Sequence, residues 1–166
     1  MQCVTSGLLG GSGDFIAQKF VEKKSWKEYD FIRTGRFTLL TGVYIAPILV
    51  GWFRVLERVR GSAKIVPLKR LIIDQTTFAP FFLGTILFTL RSLEGKRPSE
   101  AWTQVKQDYL PILKFNLAFW PPVQLFNFYL MPLNFRVIIV QLASLIWNTY
   151  VSFKTQKSVG DAVKSK

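Results

Sequence analysis

Nine side chains able to carry charge or make strong hydrogen bonds stand inside stretches otherwise built from apolar residues. They are Asp14, Gln18, Asp74, Gln75, Gln124, Asn127, Arg136, Gln141 and Asn148. Catalysis is not the chemistry they suggest. The chain has no histidine, which removes the usual base near neutral pH and the commonest metal ligand. A single cysteine, Cys3, excludes an intrachain disulfide and a thiolate metal cluster. No nucleophile stands beside a base, and no glycine-rich phosphate loop opens a helix after a strand. The expectation is therefore a protein with no enzymatic activity, no cofactor and no metal. Carboxylates, amides and a guanidinium inside apolar runs do one of two other things. They line a path for small metabolites or ions, or they hold helices to one another.

Composition says which solvent these runs face. Of 166 residues, 49% are hydrophobic, and the formal net charge is +12. Residues 115–153 carry one charged side chain, Arg136. That scale suits lipid, where roughly 20 apolar residues cross about 30 Å. Basic residues are dispersed between the apolar runs instead of gathered on one helix, so direct nucleic-acid binding is not expected. Membrane lipid is the expected partner, with self-association possible.

The elements that must position the polar groups follow from hydropathy and spacing. Residues 3–18 read as a first helix, with Gly7, Gly11, Asp14 and Gln18 on one face. The Gly7/Gly11 pair lets another helix come close; the other reading is that residues 10–13 are a flexible break. Residues 19–36 are a polar connection in which Trp26 and Tyr29 fit a membrane interface. Residues 37–53 form the clearest span, with a small-residue stripe of Gly35, Thr38, Gly42 and Ala46, a kink at Pro47, and Trp52 at its exit. Residues 54–70 are the most basic connection, suited to anionic lipid heads. Residues 71–90 are a third span. Asp74 in it either points inward to a partner or water, or sits at the interface as a helix-start residue.

Beyond this, Arg97 and Pro98 open an amphipathic interfacial helix with an apolar stripe of Trp102, Val105, Tyr109 and Ile112, from which Lys106 and Asp108 stand apart; Pro111 should break it. Residues 120–136 hold Pro121, Pro122 and Pro132 among Gln124, Asn127 and Asn134. Irregular backbone at membrane depth survives only when buried in protein or facing a water-filled cavity. This segment is therefore expected to be Pro-broken and folded in. A last span, residues 137–153, places Gln141, Ser144, Asn148 and Ser152 on one face. The fold class is thus all-α: a single membrane-embedded helical domain over 1–166, a polytopic transmembrane bundle of about four spans, with 155–166 a flexible basic tail. Arg136 is expected to be neutralised by Asp74 or Asp14.

Several of these residues also carry a resemblance. Trp120-Pro121, Gln124, Asn127-Phe128, Pro132, Arg136, Trp147, Tyr150 and Ser152 resemble the signature of the Mpv-seventeen/peroxisomal-membrane-protein family. Gly13-Asp14 with Gln18, Asp30 with Arg33-Thr34 and Arg36, Gly42 with Pro47 and Trp52, and Asp74-Gln75 with Pro80 are similar to its earlier blocks. The family's Gly-Pro and His are here Ala46-Pro47 and Val50, so no role passes to a histidine. The resemblance implies a polytopic protein of the mitochondrial inner membrane, or alternatively of the peroxisomal membrane. It also implies a weakly selective channel or solute pore supporting nucleotide supply, mitochondrial DNA maintenance and redox homeostasis. The other reading is a non-conducting scaffold or carrier component whose polar residues only join helices.

Overall fold

The structure, a computed structural model, describes residues 2–164. Among the described residues every regular element is helical. Five rods follow one another: α1 (Gln2–Ile16, prolonged by a π turn at Ala17–Val21), α2 (Phe31–Leu56), α3 (Val66–Leu93), α4 (Pro98–Tyr129) and α5 (Leu133–Lys164). They run alternately up and down. The end of α1 meets the start of α2, the end of α2 meets the start of α3, and the end of α3 meets the start of α4. Side by side the rods close a ring: α1 lies between α2 and α5, α4 lies between α5 and α3, and aromatic stacking joins α3 to α2.

Two rods, α2 and α3, are long and apolar enough to cross a membrane, against the four expected. Both outrun the spans read from hydropathy because charged ends, including Arg33, Arg54, Arg70 and Arg91, are helical as well. Long basic side chains permit this by laying their stems along apolar surface while the charged head finds water or a partner.

Both helices carry a proline in their middle and both tolerate it in the same way. A π turn, Leu40–Ile45, comes just before Pro47, and another, Asp74–Phe78, just before Pro80. There the N–H of Ala46 reaches back to the Thr41 carbonyl and that of Ala79 to the Asp74 carbonyl. The wider turn resets the hydrogen-bond frame so that each proline begins a new α segment, where its missing N–H matters least.

The third proline-rich stretch departs from expectation. Pro111, Pro121 and Pro122 all lie inside α4, which runs unbroken from Pro98 to Tyr129. The chain turns only at Leu130–Pro132. The expected interfacial helix is therefore the first half of α4, and the expected Pro-broken segment is its second half. An interior proline costs about 3 kcal/mol. Here the rings of Phe115, Phe119 and Trp120 lie against Trp147 and Tyr150 of α5, with centroids 3.8 Å apart for Phe115 and Tyr150 and 6.1 Å for Trp120 and Trp147. Aromatic pairs of this kind contribute about 0.5–1.5 kcal/mol each beyond their area, enough together to offset much of the penalty. The buried face of α4 is Ala101, Val105, Asp108 and Ile112, and Trp102 is exposed. At the far end, where a loose tail was expected from residue 155, α5 continues to Lys164 with Thr155 buried.

The first helix is continuous through its glycines, and they are its packing surface. Gly7 and Gly11 face Thr38 of α2, Gly10 faces Thr41, and Gly13 faces the backbone and Cβ of Asn148 on α5. Gly42 comes against Gly7, so the two helices touch nearly backbone to backbone. Gly35, expected in the same stripe, faces open space. A methyl group at Gly13 would sit 2.6 Å from Asn148 Cβ. Gly13→Ala is expected to lose about 1–3 kcal/mol of stability through overpacking, measured by thermal unfolding in detergent. Gly35→Ala, with nothing to strike, should leave the midpoint unchanged or slightly raised.

Candidate functional site

The ring of helices encloses a cavity of about 220 Å³ to which every rod contributes. Its polar lining is Ser6 from α1, Thr41 from α2, Asp74 and Gln75 from α3, Asn116 and Gln124 from α4, and Ser144 and Asn148 from α5. Trp120 and Trp147 also line it. Four of the nine residues singled out in the sequence thus converge here: Asp74, Gln75, Gln124 and Asn148. Asn116 was missed, although its place in an otherwise apolar stretch of α4 was a usable signal. Gln141 does not line the cavity, although it precedes Ser144 on the expected stripe.

Asp74 organises the cavity wall. One carboxylate oxygen accepts from Trp52 Nε1 at 2.7 Å and the other from Gln75 Nε2 at 2.8 Å. The Gln75 carbonyl oxygen in turn accepts from Asn116 Nδ2 at 3.0 Å. The relay ties α2, α3 and α4 across the cavity, and the π turn that starts at Asp74 sets the register. Trp52, expected at a headgroup, instead stacks on Phe78 at 4.4 Å and reaches inward to this carboxylate.

A second cavity of about 210 Å³ lies toward the α2–α3 loop, and Phe53, Asp74 and Gln124 line both spaces. It reaches Glu57, which is exposed. The second cavity therefore borders both the central one and the surface on that side. The opposite end is closed by a buried layer, whose Leu83 also lines the cavity. There Leu83, Leu87, Leu90, Ile112 and Val151 form the apolar core, and two ion-pair clusters lie beyond.

In the first cluster, Arg33 Nε donates to Asp14 at 2.6 Å. The other guanidinium nitrogens bond both Glu22 oxygens at 2.9 and 2.6 Å and the Ser152 hydroxyl at 2.8 Å. Asp14 also accepts from Gln18, Thr34 and Ser152. In the second cluster, Arg91 donates to Asp108 at 2.5 Å, to Glu94 at 2.8 Å and to the Thr155 carbonyl at 2.8 Å. Asp14 and Gln18 are thus buried as expected but belong to a helix clamp, outside the cavity. Arg33 and Arg91 were missed because they sit at the charged ends of helices, outside the spans read from hydropathy, and Asp108 because it was placed on the solvated side of an amphipathic helix.

Arg136 pairs with neither Asp74 nor Asp14. Its guanidinium donates to the Met131 carbonyl at 3.1 Å and the Phe128 carbonyl at 2.9 Å. Phe128 offers an orphan acceptor of the last turn of α4, where a cation also meets the negative end of the helix dipole, and Met131 lies in the turn that follows. Pro132 stands in the turn that Arg136 holds. Asn127 is buried, and its side-chain oxygen has no hydrogen-bond partner in the protein.

A ring of helices around a polar cavity, with two rods long and apolar enough to cross lipid and buried arginines paired to carboxylates, fits the class of helical membrane proteins. Residues 91–152 match the family described as Mpv17 / PMP22. The mitochondrial inner membrane protein Mpv17 of Caenorhabditis briggsae is 47% identical over 93% of this chain and 84% of its own length. Those of Xenopus laevis and Homo sapiens are 40% and 39% identical, each over 95% of this chain and 90% of their own length. No solved structure matches. The chain belongs to the Mpv17 / PMP22 family and is a protein of the mitochondrial inner membrane.

The Arg33 clamp and the Arg136 contact each set a stability that can be measured. Arg33→Met would leave the buried Asp14 without its cation and Glu22 with Lys24 alone. Breaking one side of a buried pair costs about 3–5 kcal/mol, so unfolding in detergent should shift steeply. Arg136→Gln, losing bonds to carbonyls alone, should cost about 1–3 kcal/mol, the scale of a charge-assisted hydrogen bond. Glu22 supplies a pH dependence. Burial works to raise its pKa, but the hydrogen bonds and charge of Arg33, with Lys24, hold it below the ordinary 4.5. A lowered folded pKa stabilises the protein above the unfolded value, and that contribution is lost as pH falls through the folded value. Stability should therefore drop as pH is lowered from 4.5, and Glu22→Gln should flatten that part of the curve.

Proposed function

We propose that the chain is a weakly selective channel or solute pore of the mitochondrial inner membrane, with α1, α4 and α5 crossing beside α2 and α3. The observation that carries this reading is the central cavity, lined by hydrogen-bonding groups from all five helices. Polar groups at membrane depth are costly and are kept where they face protein, water or a solute. Small metabolites or ions are the proposed cargo, membrane lipid is the proposed surroundings, and self-association is a further proposal. No catalytic role and no direct nucleic-acid contact are proposed. The family resemblance extends the reading to nucleotide supply, mitochondrial DNA maintenance and redox homeostasis.

A second reading has its own observation. The Arg33 and Arg91 clusters join helices and line neither of the two cavities described, as they would in a non-conducting scaffold. Purified protein in planar bilayers and solute-loaded liposomes separates the two. A pore gives conductance and solute flux, and Ser144→Phe, which puts a ring into the cavity, should cut both at least fivefold with helix content unchanged. Bilayers that stay silent, or flux indifferent to Ser144→Phe, favour the scaffold.

A further inference from the structure

The second cavity, toward the α2–α3 loop, holds two opposite charges that do not neutralise each other. Arg70 and Asp74 stand four residues apart on α3 and line the same space, about 6 Å apart along the helix axis. At that spacing a carboxylate and a guanidinium commonly pair, yet no ion pair joins them. Asp74 is held by Trp52 and Gln75, both uncharged. Arg70 gives one N–H to the Glu57 carbonyl at 3.1 Å, and its Nε is buried without a partner. Phe53, Leu56, Leu71 and Phe128 wall the space with apolar surface. The Arg70 Nε and the Asp74 carboxylate are partly withdrawn from water and gain no counter-charge, an arrangement that costs free energy unless a ligand completes it.

We propose that this cavity binds a zwitterion of the phosphoethanolamine type. Its anionic group bonds the Arg70 guanidinium, including the unpartnered Nε, and its ammonium group lies against Asp74. An anion alone would bond Arg70 but be repelled by the carboxylates of Asp74 and Glu57. A cation alone would meet Arg70. A molecule carrying both charges, separated by about one helical turn, satisfies both ends at once. The same chemistry exists in a free solute and in a phospholipid headgroup, and the open side of the cavity among the ends of α2, α3 and α4 admits either. The site goes beyond solute passage: it holds whether or not anything crosses the central cavity.

The test uses the full chain in detergent, titrated calorimetrically with O-phosphoethanolamine, inorganic phosphate and ethanolamine. The whole zwitterion should bind at least tenfold more tightly than either half, and Arg70→Gln and Asp74→Asn should each weaken it at least tenfold with helix content retained. Should a variant fail to fold, the comparison of whole with halves on the unaltered chain decides alone. Native mass spectrometry from nanodiscs then separates the sources. Retained phosphatidylethanolamine that blocks the soluble probe means a headgroup occupies the site, and probe binding without retained lipid means a free solute does. Phosphate or ethanolamine binding as well as the whole molecule overturns the proposal. So does the absence of binding by both the soluble probe and phosphatidylethanolamine.

Discussion

Arg33 and Asp14 set the condition the bundle must meet. A carboxylate offers about four acceptor positions, and at Asp14 all are taken: Arg33 and Ser152 on one oxygen, Gln18 and Thr34 on the other. Those donors come from α1, α2 and α5. Removing two charges from water costs several kcal/mol per ion, and only the docked arrangement of all three helices satisfies them together. The glycine face of α1 follows from this. Side chains at Gly7, Gly10, Gly11 and Gly13 would hold α1 away from Thr38, Thr41 and Asn148, and the donors would then fall short of the carboxylate.

Backbone groups answer to the same rule. An unbonded N–H or carbonyl in lipid costs several kcal/mol, so each proline needs a local solution. In α2 and α3 that solution is a π turn, which makes the proline the start of a fresh α segment. In α3 it has a second effect, since the turn opens at Asp74 and so orients the residue that joins the two cavities. Backbone repair and placement of the polar group are one feature.

Much of this was legible in the residues. The helical class and the inward face of Gly7, Gly11, Asp14 and Gln18 followed from helical spacing, and Asn148, Gln75 and Gln124, which line the cavity, stood out as polar groups in apolar runs. What spacing could not reveal was partnership. Asp14 was visible as a buried charge, but Arg33, its counter-ion, was hidden among the lysines and arginines of an apparent loop. Asp108 looked solvated because the apolar stripe of α4 was read one position away from the true buried face. The prolines of α4 misled for a related reason. Their local penalty is visible in sequence, whereas the rings of Trp147 and Tyr150 that offset it lie about 30 residues away and meet them only in the fold. Arg136 was paired with a carboxylate because charge seeks charge; the carbonyls of its own turn were nearer.

The two arginine clusters lie at one end of the bundle, and both are keyed to the same stretch of α5. Ser152 bonds Arg33 and Asp14, while Thr155 and Ser158 bond Arg91. Directly beneath them sits the packed core of Leu83, Leu87, Leu90, Ile112 and Val151. At the other end the wall between cavity and exterior is a few side chains around Asp74, and the loop carries an excess of basic residues. The bundle is thus tight where its charges are paired and loose where they are not. A movement that opened the tight end would have to withdraw α5 from both arginines at once, leaving charges buried without partners. Rearrangement at the Asp74 end disturbs hydrogen bonds to neutral groups, which is far less costly. The distribution of satisfied charge, more than the distribution of apolar surface, decides which end of this helix ring can change shape.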